Sequence, residues 1–93
     1  MSGQPDGEAQ RGLQFPAAHV LIAMGPPHDD FRDSLLQALA SAGARRTETP
    51  VAQRFSRTGR YQSLHIEVQV ETREELEALY LVIKSHPDVV YRL

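Results

Sequence analysis

From residue 19 to residue 24 the chain reads His-Val-Leu-Ile-Ala-Met, apolar or small on both faces of an extended strand. Such a run suits a central strand, buried on one face and partly covered on the other. Gly25-Pro26-Pro27 ends it, and a helical period takes over across residues 29–43. Phe31, Leu35, Leu39 and Ala42 fall on one stripe there, with Ala38 beside it and Leu36 toward its edge. Asp29 or Asp30 can cap this helix, since both suit its positive N-terminal end, and Gly43 is a stop signal. Period two returns at Val51, Gln53 and Phe55, with Ala52, Arg54 and Ser56 on the other face. Arg57-Thr58-Gly59-Arg60 supplies a turn in which Gly59 is free to take positive φ. Leu64, Ile66, Val68 and Val70 then alternate with His65, Glu67, Gln69 and Glu71, the clearest strand signal in the chain. Thr72-Arg73-Glu74-Glu75 reads as a capping box. Leu76, Leu79, Tyr80 and Ile83 follow as a helical stripe, with Leu81 opposite it. Pro87 stops that helix, and Val89, Tyr91 and Leu93 suggest a short last strand.

The order β-α-β-β-α-β is the ferredoxin-like plan: an α+β domain with a four-stranded antiparallel sheet, order 4-1-3-2, and two helices on one face. One domain is expected over residues 15–93, behind a disordered tail over residues 1–14. The first 13 residues hold three glycines, one proline and almost nothing to bury. Leu76, Leu79, Tyr80 and Ile83 are expected to pack against Ile66 and Val68. The uncovered sheet face is expected to carry Leu21 and Ala23 from the first strand, and Tyr61, Ser63 and His65 from the third. A half-apolar face of that kind is a place for a partner, a ligand or a second copy of the chain. A weak homodimer through this face or an edge strand is the expectation.

Composition narrows the function classes. Ten basic and 12 acidic residues give a net charge of -2, which offers no electrostatic reason to expect nucleic acid or an anionic membrane. The absence of cysteine removes disulfides, thiolate catalysis and cysteine metal sites. No apolar run approaches the roughly 18 residues of a membrane span, and the N-terminus lacks the regions of a signal peptide. A soluble cytoplasmic protein is the default.

Candidate chemistry is sparse. His19, His28, His65 and His86 form no short-spaced pair of the kind a helical metal site uses. His28 with Asp29 and Asp30 is the one local cluster that invites a metal, and it reads more simply as a solvated helix start. The same two aspartates compete with any anion at that helix end. No serine, histidine and acid are arranged as a triad, and no arginine sits in the first strand–helix loop as in acylphosphatases. No catalytic residue, metal or cofactor is assigned. The densest polar cluster is Arg54, Arg57 and Arg60 with Tyr61 and Ser63. Arginine pairs well with carboxylate and phosphate, so an anion or partner contact near a hairpin end is one reading and a solvated turn the other. Thr58-Gly59-Arg60-Tyr61 also has a faint likeness to an RNA-binding strand motif. Such a motif stacks bases on several aromatics; only Tyr61 qualifies, and Glu67 and Glu71 would repel phosphate.

Phe15-Pro16, Met24-Gly25, the stretch Ser56-Arg57-Thr58-Gly59-Arg60-Tyr61-Gln62-Ser63-Leu64, Ala78-Leu79-Tyr80 and Ser85-His86-Pro87-Asp88-Val89 together resemble the YbeD-like family of small bacterial proteins of unknown function. The chain departs from that pattern at Arg57-Thr58, where the family has Ser-Lys, and in residues 44–50, where the family is acidic. The family is similar in fold to ACT-type regulatory domains. The resemblance implies a bacterial cytoplasmic protein, with dimerisation and a regulatory or ligand-sensing role as its expectations. The expected function is a non-catalytic regulatory or interaction module. It would present its open sheet face and Arg57, Gly59, Arg60, Tyr61 and Ser63 to a protein or small ligand. A small enzyme with a site near residues 56–63 is the alternative, and RNA binding the third reading.

Overall fold

The computed structural model describes residues 14–90, and their arrangement follows from one long strand buried at every second position. β4, Gln62–Val70, buries Gln62, Leu64, Ile66, Val68 and Val70 and leaves the intervening side chains half-exposed. That strand is the spine of the sheet. β1, Ala17–Gly25, runs antiparallel to it along its whole length, from Ala17 opposite Val70 to Gly25 opposite Gln62. On the other edge of β4 lie β2, Arg45–Arg46, and β3, Ala52–Phe55, each antiparallel to it. The short β2 is an element that the sequence pattern did not announce.

Helices α1, Asp29–Ser41, and α2, Arg73–Ser85, lie on the buried side of the sheet, and the order among the described residues is β-α-β-β-β-α. Phe31, Leu35 and Leu39 of α1 join Leu76, Leu79 and Ile83 of α2 over Leu21, Ala23, Leu64, Ile66, Val68 and Val70. The ferredoxin-like α+β expectation therefore holds. Of the last strand expected over 89–93, residues 91–93 lie outside the described residues, as does the expected tail apart from Gln14. Val89 and Val90 have no strand pairing assigned. The Val90 N–H donates to the Met24 carbonyl (2.8 Å), so the chain returns beside β1, where the order 4-1-3-2 puts it.

Helix ends follow local chemistry. α2 has the predicted capping box: the Thr72 hydroxyl accepts the Glu75 N–H (3.1 Å). The Glu75 carboxylate reaches one residue further back than usual, to the Glu71 N–H (2.7 Å). α1 ends at Gly43, whose φ of +92° lets the Gly43 N–H reach the Ala40 carbonyl and the Ala44 N–H reach that of Leu39. This pair of bonds is the Schellman arrangement, with Ala44 packing on the core beside it. The start of α1 corrects the expectation. Its N-cap is His28, with no side-chain cap, and Asp29 and Asp30 lie in the first turn, where they face the helix dipole instead.

Three placements differ from the sequence reading. Leu21 and Ala23 are in the core, and Val20 and Ile22 take the open face at 46% and 54% exposure. β1 is apolar on both faces, so its own pattern carries no parity. Pairing with β4 sets it, because Leu21 sits opposite Ile66 and Ala23 opposite Leu64. Tyr80 is exposed although it lies one residue past Leu79, and Ala42 is exposed at the C-cap of α1. The seam each helix presents to the sheet is thus narrower than its apolar stripe. Leu81 is exposed as expected.

Leu79 is 1% exposed between both helices and the sheet. Leu79→Ala should cost about 2–5 kcal/mol. Chemical denaturation checks this, and an unchanged midpoint would mean that α2 does not dock as described.

Candidate functional site

The hairpin joining β3 to β4 is closed by Ser56. Its N–H donates to the Tyr61 carbonyl (2.8 Å), its hydroxyl accepts the Tyr61 N–H (3.2 Å), and its carbonyl accepts the Gly59 N–H (2.9 Å). Gly59 takes φ of +76°, which few other residues adopt without strain. Arg57, Thr58, Gly59 and Arg60 form an exposed tip. Below the tip, Arg54, Phe55, Ser56, Tyr61, Gln62 and Ser63, with Met24 of β1, line a cavity of about 120 Å³. Of the five residues singled out from sequence, Tyr61 and Ser63 line this cavity. Arg57, Gly59 and Arg60 do not.

The corner is cationic by sequence and uncompensated by structure. Residues 49–66 contain three arginines and no aspartate or glutamate. Arg54, Arg57 and Arg60 make no ion pair among the described residues, whereas Arg32 pairs with Asp29 and Asp33, and Arg45 with Glu71 and Glu75.

One residue under the corner was missed by the sequence reading. Gln62 is 1% exposed, and both ends of its carboxamide are engaged. Its Nε2 donates to the carbonyls of Pro26 (2.9 Å) and His28 (3.0 Å), and its Oε1 accepts from Gln53 Nε2 (2.9 Å). Gln62 therefore fixes the β1–α1 loop to the floor of the β3–β4 hairpin. A signal was available: Gln62 has the same parity as Leu64, Ile66, Val68 and Val70, so it is a polar residue on an inward face.

Toward the other end of the open face stands Glu67, with Arg45 one row further on, opposite Gln69. Glu67, opposite Val20, accepts the hydroxyls of Thr49 (2.5 Å) and Thr47 (2.7 Å) on one oxygen. Those bonds, the Thr49 bond first, hold its carboxyl below the ordinary glutamate value of 4.5. Glu75 is likewise lowered, by the Glu71 N–H first, against some desolvation, and then by Arg45.

A second buried polar residue is His86, placed edge-on to Phe31 (5.5 Å between ring centres). Ser34 Oγ lies 2.8 Å from His86 Nε2, a contact that looks at first like a nucleophile and its base. The Asp88 N–H donates to His86 Nδ1 (3.1 Å), so Nδ1 carries no proton and Nε2 does. The ring therefore donates to the serine and cannot accept its proton as placed. Beside His86 an apolar groove of about 440 Å³ runs between the helices, walled by Ala38, Ala78, Leu81 and Val82. Ser63 and His65 approach only to 3.4 Å on the open face. Among the described residues no three histidine or carboxylate side chains converge on a metal position. His28 is the N-cap of α1, and Asp29 and Asp30 lie in its first turn. No helix among the described residues is long and apolar enough to cross a membrane.

A family model for proteins of unknown function, DUF493, matches residues 10–93. The chain belongs to the DUF493 family. The resemblance to YbeD-like proteins read from the residues is thereby confirmed. Similar family members are UPF0250 proteins of bacteria. That of Xanthomonas campestris pv. campestris (strain 8004) is 30% identical over 92 residues, covering 99% of this chain and 96% of the relative. That of Xanthomonas oryzae pv. oryzae (strain PXO99A) is 32% identical over 82 residues, covering 88% and 89%. That of Xylella fastidiosa is 29% identical over 85 residues, covering 91% and 92%. No solved structure matches the chain.

Two outcomes test this geometry. Gln62→Leu strands the part-buried carbonyls of Pro26 and His28 and the Gln53 amide, and should destabilise by about 1–3 kcal/mol in all, since water reaches part of what is left unpaired. Thermal denaturation reads it, and a loss below about 0.5 kcal/mol would mean the carboxamide is not the anchor. For Glu67 and Glu75 the folded carboxyl is lowered, so their contribution is present above pH 4.5 and is lost as pH falls through the lower folded values. Thr47→Val with Thr49→Val should therefore reduce stability at neutral pH and flatten its decline in acid. An acid profile parallel to the unmodified chain's would refute that link.

Proposed function

We propose that this DUF493 chain is a non-catalytic interaction module, that its working surface is the open sheet face, and that the partner this face fits is a second copy of the chain. The observation that carries the reading is the half-exposure of Val20 and Ile22 on the sheet face opposite the helices, which no described element covers, with Arg54 in one flanking row and Glu67 in the other.

The register orders the face in rows. Ile22, His65 and Ala52 form the middle row; Met24, Ser63 and Arg54 lie on one side of it, and Val20 and Glu67 on the other. A two-fold axis running across the strands through the middle row reverses the row order. It lays Ile22 on Ile22, Val20 over Met24, and each Arg54 row over the other copy's Glu67 row. A two-fold interface must be complementary to itself, and this one is, in both apolar content and charge. The two charged rows are separated by four residues of β4, roughly 13 Å at the usual rise per residue, so both pairs fit one interface. The threonine bonds to Glu67 favour its charged form, which keeps the acidic row available.

Sedimentation of the unmodified chain should show a concentration-dependent dimer that weakens with added salt. Ile22→Lys should give a folded monomer, while Leu21→Lys should fail to fold, because Leu21 is in the core. A monomer at millimolar concentration before any substitution would remove the second copy as the partner.

A further inference from the structure

We propose that the cavity under the hairpin tip is a binding site for a compact carboxylate carried on an apolar stem, with Arg54 as its counter-charge. Arg54 is a lining residue with no ion pair among the described residues, in a segment, residues 49–66, that holds no acidic side chain. An arginine fork beside a concavity takes a carboxylate in two parallel hydrogen bonds. Tyr61 and Ser63, each carrying a hydroxyl, are among the residues that line the same cavity. Met24 and Phe55, which is 58% exposed, give the wall its apolar part, and Ser56 and Gln62, whose polar groups are engaged within the protein, complete it. At about 120 Å³ the cavity has the volume of roughly four waters, at about 30 Å³ each, enough for a carboxylate with a small ring or short chain. The N–H groups of Ser56, Gly59 and Tyr61 are all consumed within the turn, so they offer no nest of the kind that selects phosphate.

This assignment deepens the self-association reading in one respect and rests on it only there. Arg54 cannot serve a ligand carboxylate and a second copy's Glu67 at once, so occupancy of the corner weakens the dimer. The binding site itself stands on the cavity and its unpaired arginine.

The experiment uses the full chain carrying Ile22→Lys, which does not line the cavity, so that self-association does not enter. Backbone amide shifts are followed during titration with sodium benzoate, with its neutral isostere benzamide, and with inorganic phosphate. Benzoate should give saturable shifts centred on Ser56, Tyr61 and Ser63, and benzamide and phosphate should not. Arg54→Gln should weaken benzoate by at least about tenfold, the worth of a charge-assisted hydrogen bond. Arg57→Gln with Arg60→Gln should weaken it by less than about fivefold, as screened exposed charges do. Equal response to benzoate and benzamide, equal response to phosphate, no saturable shift, or full binding by folded Arg54→Gln would each overturn the site. If benzoate binds this variant yet leaves the sedimentation of the unmodified chain unchanged, the site stands and the dimer geometry fails.

Discussion

The buried carboxamide of Gln62 is the constraint on which the rest of the corner depends. It lies in the first position of β4, opposite Gly25 in the last position of β1. From there it bonds both carbonyls of the loop that leads into α1. Beside it, the Phe31 ring covers Gly25 so closely that an added Cβ would lie 2.4 Å from its Cζ. Gly25 is thus needed for close approach, not for an unusual φ. Together these contacts fix where β1 stops, how α1 starts without a side-chain cap, and which way β1 presents its alternate residues. A polar group this deep is tolerable because both its amide hydrogens and its oxygen have partners.

That constraint explains which parts of the fold were legible. β4 and α2 could be read directly, since each has one apolar period and strong boundary chemistry: alternation from Leu64 to Val70, and the Thr72 capping box. The end of α1 was legible through Gly43. β1 was legible as a strand but not in its parity. Val20 and Ile22 are as apolar as Leu21 and Ala23, and only pairing with β4 decides between them. Tyr80 misled for a related reason. Period alone places it beside Leu79, but the width of the contact with the sheet, a tertiary quantity, leaves it outside.

The candidate site shows the same division. The cluster of arginines around Gly59 and the positive φ of that glycine were readable locally. The split between an exposed tip and a lined cavity was not, because it depends on Met24 arriving from the far end of β1. Gln62 could be read only as a polar residue on the inward parity of β4, and His86 not at all, because a polar side chain is informative only when burial is known, and burial is the product of the whole fold. Both then proved to be engaged structurally, Gln62 as a loop anchor and His86 as a donor to Ser34.

What remains for function is the surface that this engagement leaves free. The polar groups beneath the sheet are consumed by one another, and Glu75 by the segment it holds down, while Glu67 uses one carboxylate oxygen for Thr47 and Thr49. Arg54 is different in kind. It stands next to a cavity and across the face from Glu67, with no partner among the described residues. A buried network that satisfies itself stabilises one structure, whereas an unpaired charge beside an exposed apolar strip is complementary to something outside the molecule. The fold supplies the rigidity that keeps that strip and that charge in register, and the function is argued from those two features because the fold is shared by proteins that do very different things.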